Sequence, residues 1–176
     1  MSLKQQGINL DFSHLRAVFC FALMRLPMPR TWRKVFVRGA GVRLTGRKYF
    51  IARDVQFDSM YPQNITIHND AHIAAGVRIL THLLDTANPD REDIHFKEGH
   101  IEIGEHAFIG TDAIITGNVR IGRSTIIGAG SVVTKDVPAG VVAVGNPCRV
   151  LRPIGEKDQL FYYKNRQIPD AFWKTE

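Results

Sequence analysis

The sequence predicts an all-β fold, a parallel β-helix in which three short strands make each triangular coil. Three observations support it. An aliphatic residue begins each of six consecutive sextets between residues 103 and 138, the fifth residue of every sextet is small or β-branched, and glycine is second in four of the six. A strand repeats every 2 residues and a helix every 3.6, so neither element by itself explains this period. The sextets begin at Ile103, Ile109, Ile115, Ile121, Ile127 and Val133.

The period of six has a direct physical interpretation. One sextet is long enough for a short strand and a turn, and three sextets close a triangular coil of about eighteen residues whose backbone hydrogen-bonds to the next coil at strand spacing. The aliphatic residues stack into a core, and the small fifth residues allow the chain to turn at the corners. Glycine at the second position suits a bend beside the core.

The same register continues upstream and is then interrupted. Upstream, the positions in phase are Val55, Tyr61, Ile67, Ile73 and Ile79. Between the two arrays these positions are occupied by Asp85, Arg91 and Lys97, which cannot serve as buried aliphatics. Residues 83–102 are therefore predicted to form a long excursion loop, and long loops within compact domains usually have a function.

Short helices are expected on both sides of the repeats. Residues 12–26 have an apolar middle and are followed by two prolines, and a second helical stretch extends to the glycines at 39 and 41. Residues 157–174 predict one or two further short helices. Because the ends of a coil stack expose unpaired strand edges, we expect both flanks to cap it.

These boundaries divide the chain into three parts. We expect residues 1–41 to form a helical, basic arm, residues 42–153 the β-helix domain with its excursion loop, and residues 154–176 a helical tail.

Charge is unevenly distributed. The 176-residue chain has a formal charge of +6, and the stretch between Asp11 and Asp54 contains ten Lys or Arg residues and no acidic residue. Such a block favours an anionic partner, either a phosphate-bearing substrate or an acidic membrane surface, although a solvated basic edge is the simpler explanation. The Phe and Leu residues of the first helix and its basic flank make peripheral contact with a membrane the alternative to capping. Nucleic acid is disfavoured because no recognisable reading motif accompanies the basic residues.

The cysteine content and the apolar runs bear on location. Cys20 and Cys148 form neither a disulfide framework nor a metal-ligand cluster, which fits a reducing compartment. The apolar run 17–24 is too short to span a bilayer and lacks a cleavage site for a signal peptide. We therefore expect the protein to lie in the cytoplasm, either free or at the inner face of the cell membrane.

His82 is the candidate catalytic residue. It closes the last upstream sextet immediately before the excursion loop, and Asp85 follows three residues later. A histidine accepts a proton from a hydroxyl near neutral pH, and a neighbouring carboxylate fixes its tautomer and stabilises the imidazolium. Asp85 is the candidate partner, with a simple turn at the start of the loop as the alternative role.

The sextets, together with the string GAGSVVTKDVPAGVVAVGNPCRVLR at 128–152, resemble the hexapeptide-repeat acyltransferases. Within that superfamily the chain is similar to sugar and polysaccharide O-acetyltransferases of the galactoside and maltose acetyltransferase type, over residues 42–153. The string THLLD resembles their His-x-x-Asp signature. The resemblance implies a left-handed β-helix and His82 as general base.

The resemblance also implies acetyl-CoA as the acetyl donor, attacked directly by an acceptor hydroxyl. Three cations near the last coil, Lys135, Arg149 and Arg152, would hold its phosphates, since Lys supplies a point charge and Arg grips phosphate with two donors. Ala129 and Thr134 match positions that contact pantetheine, and the amide near Thr111 matches an oxyanion donor. For Thr134 and Lys135, the alternative is an ordinary turn at the end of a coil.

The resemblance implies a homotrimer with active sites between subunits. It also implies that the acceptor is a hydroxyl of a sugar or of a surface-polysaccharide precursor. An antibiotic hydroxyl is the alternative acceptor, because the His-x-x-Asp spacing also resembles xenobiotic acetyltransferases.

Two other functions remain open. A γ-class carbonic anhydrase-like enzyme would bind zinc through His82, His95 and His100, although the last two lie in the irregular loop, and we expect no resident metal. A non-enzymatic scaffold would use the coils as a platform and the basic arm to attach to a surface.

Overall fold

A computed structural model describes residues 12–24, 26, 29–84, 96–155 and 158. Two helices, α1 (Phe12–Leu23) and α2 (Arg30–Ala40), precede the coils. The first two coils contain β1 (Arg43–Thr45), β2 (Phe50–Ile51), β3 (Gln56–Phe57), a 3-10 helix (Pro62–Asn64), β4 (Ile65–His68), β5 (His72–Ile73) and β6 (Arg78–Leu80). A hairpin of β7 (His82–Leu84) and β8 (Phe96–Glu98) follows.

The remaining coils resume after the hairpin. They contain β9 (Ile101–Ile103), β10 (Phe108–Ile109), β11 (Ile114–Thr116), β12 (Val119–Ile121), β13 (Ile126–Ile127), β14 (Val132–Val133), β15 (Val141–Val144) and β16 (Arg149–Pro153). The repeat thus resumes at Ile101. The predicted excursion loop begins and ends in paired strands, since β7 and β8 are antiparallel partners.

Three sheets form the sides of a triangular prism. The first sheet has the order β1-β4-β9-β12, the second β2-β5-β10-β13-β15-β16, and the third β3-β6-β11-β14. Every pairing within them is parallel except the last, where β16 runs antiparallel to β15 and closes the stack. The predicted parallel β-helix is confirmed.

The inward side chains of each sheet form one column of the core. In the first sheet the partners in register are Leu44, Ile67, Ile103 and Ile121; in the second, Ile51, Ile73, Ile109, Ile127 and Ala143; in the third, Phe57, Ile79, Ile115 and Val133. The isoleucines from Ile67 to Ile127 in these columns are fully buried, and each contributes roughly 1.5–3 kcal/mol on transfer from water. The sextet pattern therefore identified the core of the regular coils correctly.

Left-handed residues turn the chain at the corners. Asp54, Asp70, His106, Asp112 and Ser124 all have φ between 51° and 59°, a region that Asp and Asn enter more readily than bulky residues. Each precedes a residue whose side chain is buried at the corner. A left-handed polar residue therefore precedes a buried residue at each of these turns.

Glycine at the second position of a sextet has a different role from the one expected. A Cβ at Gly104, Gly110 or Gly122 would lie 2.6, 2.5 or 2.3 Å from a backbone nitrogen of the next coil. None of these glycines has a positive φ. Glycine is required there because the stacked backbones approach closely.

The upstream register was wrong in the first coil. The core residue there is Phe57, and Val55 is buried two positions earlier, at a corner. Tyr61 has no place in a column because the 3-10 helix Pro62–Asn64 lengthens the connection to β4. Consecutive core residues Phe57 and Ile67 are thus ten positions apart instead of six.

The helices pack against the first coil. The Phe21 ring stacks on Phe57 with centroids 5.6 Å apart. Gly41 caps the C-terminus of α2, with φ 115°, and donates its N–H to the carbonyl of Arg38. Both predicted N-terminal helices are confirmed. In the described part of the chain, no helix is long and apolar enough to cross a membrane. The helices expected within 157–174 lie outside the described residues, apart from Asp158.

Candidate active site

His82 lies where the third sheet ends and the hairpin begins. Its Cα pairs with that of Glu98 across the β7–β8 ladder, and the ring of Phe96 meets the imidazole edge-on with centroids 5.4 Å apart. The His82 side chain is 31% exposed. The hairpin therefore holds the ring in place and leaves part of it open to a substrate.

Asp58 is the carboxylate that contacts His82. Its side chain is only 1% exposed, and its Oδ2 accepts a hydrogen bond of 2.6 Å from Nδ1 of His82. The same oxygen accepts from the backbone N–H and hydroxyl of Thr81, each at 2.8 Å, and from the N–H of His82 at 3.0 Å. The other oxygen accepts from the N–H of Met60 at 2.9 Å. Five donors thus fix the carboxylate.

These contacts determine the charge of the pair. Burial raises the pKa of Asp58, but the hydrogen bonds from Met60, His82 and Thr81 outweigh burial and bring the pKa below its ordinary value. An ionised carboxylate only accepts hydrogen bonds, so Nδ1 of His82 carries the proton. In the neutral imidazole Nε2 then has a free lone pair, as a general base requires.

The partner suggested by the sequence, Asp85, lies outside the described residues. Sequence reasoning missed Asp58 because it lies 24 residues before His82. The available signal was local, since Asp58 directly follows the core residue Phe57 at the point where the six-residue register is lost.

Other histidines have separate surroundings. His68 contacts the hydroxyl of Thr45 through Nδ1 at 2.9 Å and Glu102 through Nε2 at 2.8 Å, on the outer face of the first sheet. Among the described residues, no group of three His, Cys, Asp or Glu side chains could hold a metal ion. His95, one of the three possible zinc ligands, lies outside them.

Thr134 and Lys135 lie at the same edge of the third sheet as His82. In that sheet Leu80 pairs with Thr116, and Ile115 pairs with Val133. Thr134 therefore lies two coils beyond the turn that carries His82, which corresponds to about 10 Å along the prism. Both side chains are exposed. We call this edge, with His82, Thr134 and Lys135, the base edge.

Thr111 and Ala129 lie at the opposite edge of the third sheet, in adjacent coils. The N–H of Gly130 donates to the carbonyl of Thr111 at 2.8 Å, and both residues are exposed. We call this edge, with Thr111 and Ala129, the amide edge. Because the third sheet separates the two edges, one protomer does not bring Thr111 and Ala129 to His82.

The two predicted phosphate-binding arginines lie on the terminal strand β16. Arg149 is exposed and donates to the carbonyl of Cys148 at 2.8 Å. Arg152 holds the carboxylate of Asp158 through two nitrogens, at 2.5 and 2.9 Å. The hydrogen bond from Arg152 lowers the pKa of Asp158 to about 2. Arg152 is thus engaged with an acid of its own chain.

Comparison with known proteins supports this description. Residues 100–135 match the family described as bacterial transferase hexapeptide (six repeats). These residues carry the hexapeptide repeat of bacterial transferases. Over 117 residues the chain is 38% identical to the galactoside O-acetyltransferase of Escherichia coli (strain K12). That alignment covers 61% of this chain and 57% of the relative, so it spans little more than half of the relative's length.

Solved structures extend the similarity to most of the chain. The maltose O-acetyltransferase from Clostridium difficile 630 is 27% identical with a TM-score of 0.64, over 84% of this chain and 91% of that one. A galactoside acetyltransferase in complex with coenzyme A is 23% identical with a TM-score of 0.64, over 92% of both chains. The left-handed β-helix and the resemblance to hexapeptide-repeat acetyltransferases are confirmed.

Proposed function

We propose that this protein is an acetyl-CoA-dependent O-acetyltransferase acting on a hydroxyl of a sugar or a polysaccharide precursor. The observation that carries the proposal is the pair of His82 and buried Asp58, which leaves Nε2 of His82 as an available base. The similarity to galactoside and maltose O-acetyltransferases supports the reaction class. A galactoside acetyltransferase of the same fold has been seen with coenzyme A, which supports the donor.

His82 would act directly on the acceptor. Nε2 takes the proton of the acceptor hydroxyl while that oxygen forms a bond to the thioester carbonyl carbon. The carbon–sulfur bond then breaks, and the leaving sulfur of coenzyme A takes the proton from His82. Asp58 remains ionised throughout and stabilises the imidazolium formed between the two steps. No nucleophilic side chain is required, and burial raises the pKa of the Cys148 thiol.

The donor would be held by residues of the two edges and of the terminal strand β16. We propose that Thr134 and Lys135 at the base edge contact pantetheine and phosphate, and that Arg149 and Arg152 at the last coil contact phosphate. Thr111 and Ala129 at the amide edge would complete the site, with the amide near Thr111 as oxyanion donor.

We propose that the protein assembles as a homotrimer. Because the two edges lie on opposite sides of the third sheet, a complete site requires the base edge of one copy and the amide edge of a neighbour. A closed ring of three copies provides three such sites. Size-exclusion chromatography with light scattering tests the trimer. Mixing a variant altered at the base edge with one altered at the amide edge tests the shared site, because mixed trimers recover activity only if the two edges combine.

The reaction would take place in the cytoplasm, in polysaccharide biosynthesis. The two unpaired cysteines fit that compartment. Contact of the basic N-terminal arm with the inner face of the cell membrane would bring the site to a lipid-linked precursor.

Thiol release from acetyl-CoA tests the proposal. Purified protein is assayed with free sugars, nucleotide sugars, lipid-linked sugars and antibiotic hydroxyls, and products are identified by mass spectrometry. We expect O-acetylation of a sugar hydroxyl, loss of activity in His82→Ala, and full activity in His68→Ala, because His68 pairs with Glu102 on the first sheet and not with a residue of the base edge. Full activity of His82→Ala, or a product acetylated only at nitrogen, would refute the proposal.

A further inference from the structure

A cavity lies between the helix pair and the first coil. Its volume is about 560 Å³, within the range of small-molecule sites. Its walls combine apolar side chains, among them Phe21 and Met24 from the α1 region and Val55 and Phe57 from the coil, with a smaller set of polar and charged ones. The cavity shares no lining residue with the base edge or the amide edge defined above.

Arg33 of α2 lines this cavity and is only 3% exposed. Its Nη1 donates to the carbonyl of Ala52 at 3.2 Å, while its buried Nε has no partner. Within the described residues, no carboxylate forms an ion pair with it. A buried, unpaired charge costs a protein several kcal/mol unless something compensates it. The cavity is the place from which compensation can come.

We propose that this cavity binds an amphiphilic anion, a molecule with an apolar body and a phosphate or carboxylate head paired with Arg33. The apolar walls take the body, and a guanidinium grips an oxyanion through two parallel N–H donors. Among the described residues that line the cavity, the charged ones are Arg33 and Asp54, and of these two only Arg33 is buried.

Asp54 and Ser59 bound the same cavity. Asp54 is exposed and has φ 59°, and its carboxylate opposes an anionic ligand without pairing with Arg33. Asn tolerates this backbone conformation, so Asp54→Asn removes the charge and keeps the turn. Ser59 directly precedes Met60 and follows Asp58, and an occupant of the cavity would therefore lie beside the segment that anchors His82.

Binding of octyl phosphate to the full-length protein, measured by calorimetry without acetyl-CoA, tests the site. Octanoate carries the other head group, octyl glucoside has the body without charge, and inorganic phosphate has the charge without the body. We expect octyl phosphate, octanoate or both to bind at least about tenfold more tightly than either control, and the tighter of the two identifies the head group. Equal binding of octyl phosphate, octanoate and octyl glucoside would overturn the proposal.

Three variants make the test specific. Arg33→Met should weaken binding about 10- to 100-fold and leave the thermal midpoint equal or higher, because an apolar side chain replaces an unpaired charge. Asp54→Asn should tighten binding. Lys34→Met, an exposed neighbour on the same helix, should change neither quantity.

Arg33→Met binding equal to the wild type would refute the role of the guanidinium. If Arg33→Met does not fold, unchanged or weaker binding in Asp54→Asn refutes the proposal independently. Because acetyl transfer is measured separately, failure of this site leaves the proposed enzymatic activity untouched, and the reverse also holds.

Discussion

The coils after the hairpin and the coils before it use the same backbone but bury different groups. In residues 101–153 the buried polar residues are Thr125 and Ser131, and both hydroxyls hydrogen-bond to nearby backbone at corners. In and against the first two coils the buried polar residues are Arg33, Asp58, Asn64 and Thr81. The regular half is a core-forming repeat, whereas the irregular half buries a carboxylate and a guanidinium. Among the described residues, the buried charged groups therefore lie where the repeat is broken or where the helices pack against it.

The largest effect is expected at the end of the irregular half. His82→Ala should lower kcat for acetyl transfer by about 10²–10⁴ with little change in the KM for acetyl-CoA, because it removes proton transfer and leaves the donor contacts in place. Steady-state thiol-release kinetics measure both constants. A decrease in kcat of less than a few-fold would show that His82, at the interruption of the repeat, is not the general base.

In the regular half, the expected effect is on stability. Ile115→Ala should lower the free energy of unfolding by about 2–5 kcal/mol, because Ile115 is fully buried in the third column. Ile114 is the matched control, since it lies on the same strand but faces outward and is half-buried. Urea unfolding at a fixed protein concentration compares the two. Equal losses would mean that the inward column does not dominate the core.

Asp58→Asn tests the contact between Asp58 and His82. We expect kcat to fall by about 10- to 100-fold, because Asn cannot hold the same tautomer of His82 or balance the imidazolium. Steady-state thiol-release kinetics should show the loss in kcat and little change in the KM for acetyl-CoA. An unchanged kcat would show that Asp58 serves only the fold.

The same variant has a pH-dependent effect on stability. The folded-state pKa of Asp58 is below its ordinary value of 3.8, so its carboxylate contributes stability that is present above that value and lost as pH falls through the folded pKa. Unfolding free energies of the wild type should therefore decrease in acid more steeply than those of Asp58→Asn. Parallel curves would contradict the lowered pKa.

A smaller effect is expected from the donor contacts. Lys135→Ala should raise the KM for acetyl-CoA by about 3- to 10-fold and keep kcat, and the difference should shrink at high salt because the contact is exposed. Arg123→Ala, an exposed cation at a different corner, is the control. Equal changes in the two variants would indicate a general effect of net charge.

The smallest effect is expected from the ion pair at the end of the coils. Asp158→Asn frees Arg152 from its carboxylate partner, and if Arg152 binds a donor phosphate the KM for acetyl-CoA should fall by about twofold, as exposed ion pairs are weak. An unchanged KM would show that Arg152 serves the terminal strand only. Kinetics at low ionic strength give the clearest measurement.

The sequence by itself determined the regular coils. Core residues such as Ile103, Ile109 and Ile115 are predictable because each coil consists of three sextets that repeat locally. The sextet pattern of a coil does not depend on which coil it stacks on. His82 was identified for a related reason, since it stands at the point where that local pattern stops.

Only the tertiary structure decided what the interruptions bring together. Asp58 reaches His82, and Arg33 reaches the cavity against the first coil, through stacking of distant segments. Which residues meet across coils depends on the number of residues in each coil, and the 3-10 helix Pro62–Asn64 changes that number without any periodic signal. Contacts between coils are therefore decided by stacking and register, which the sextet pattern does not specify.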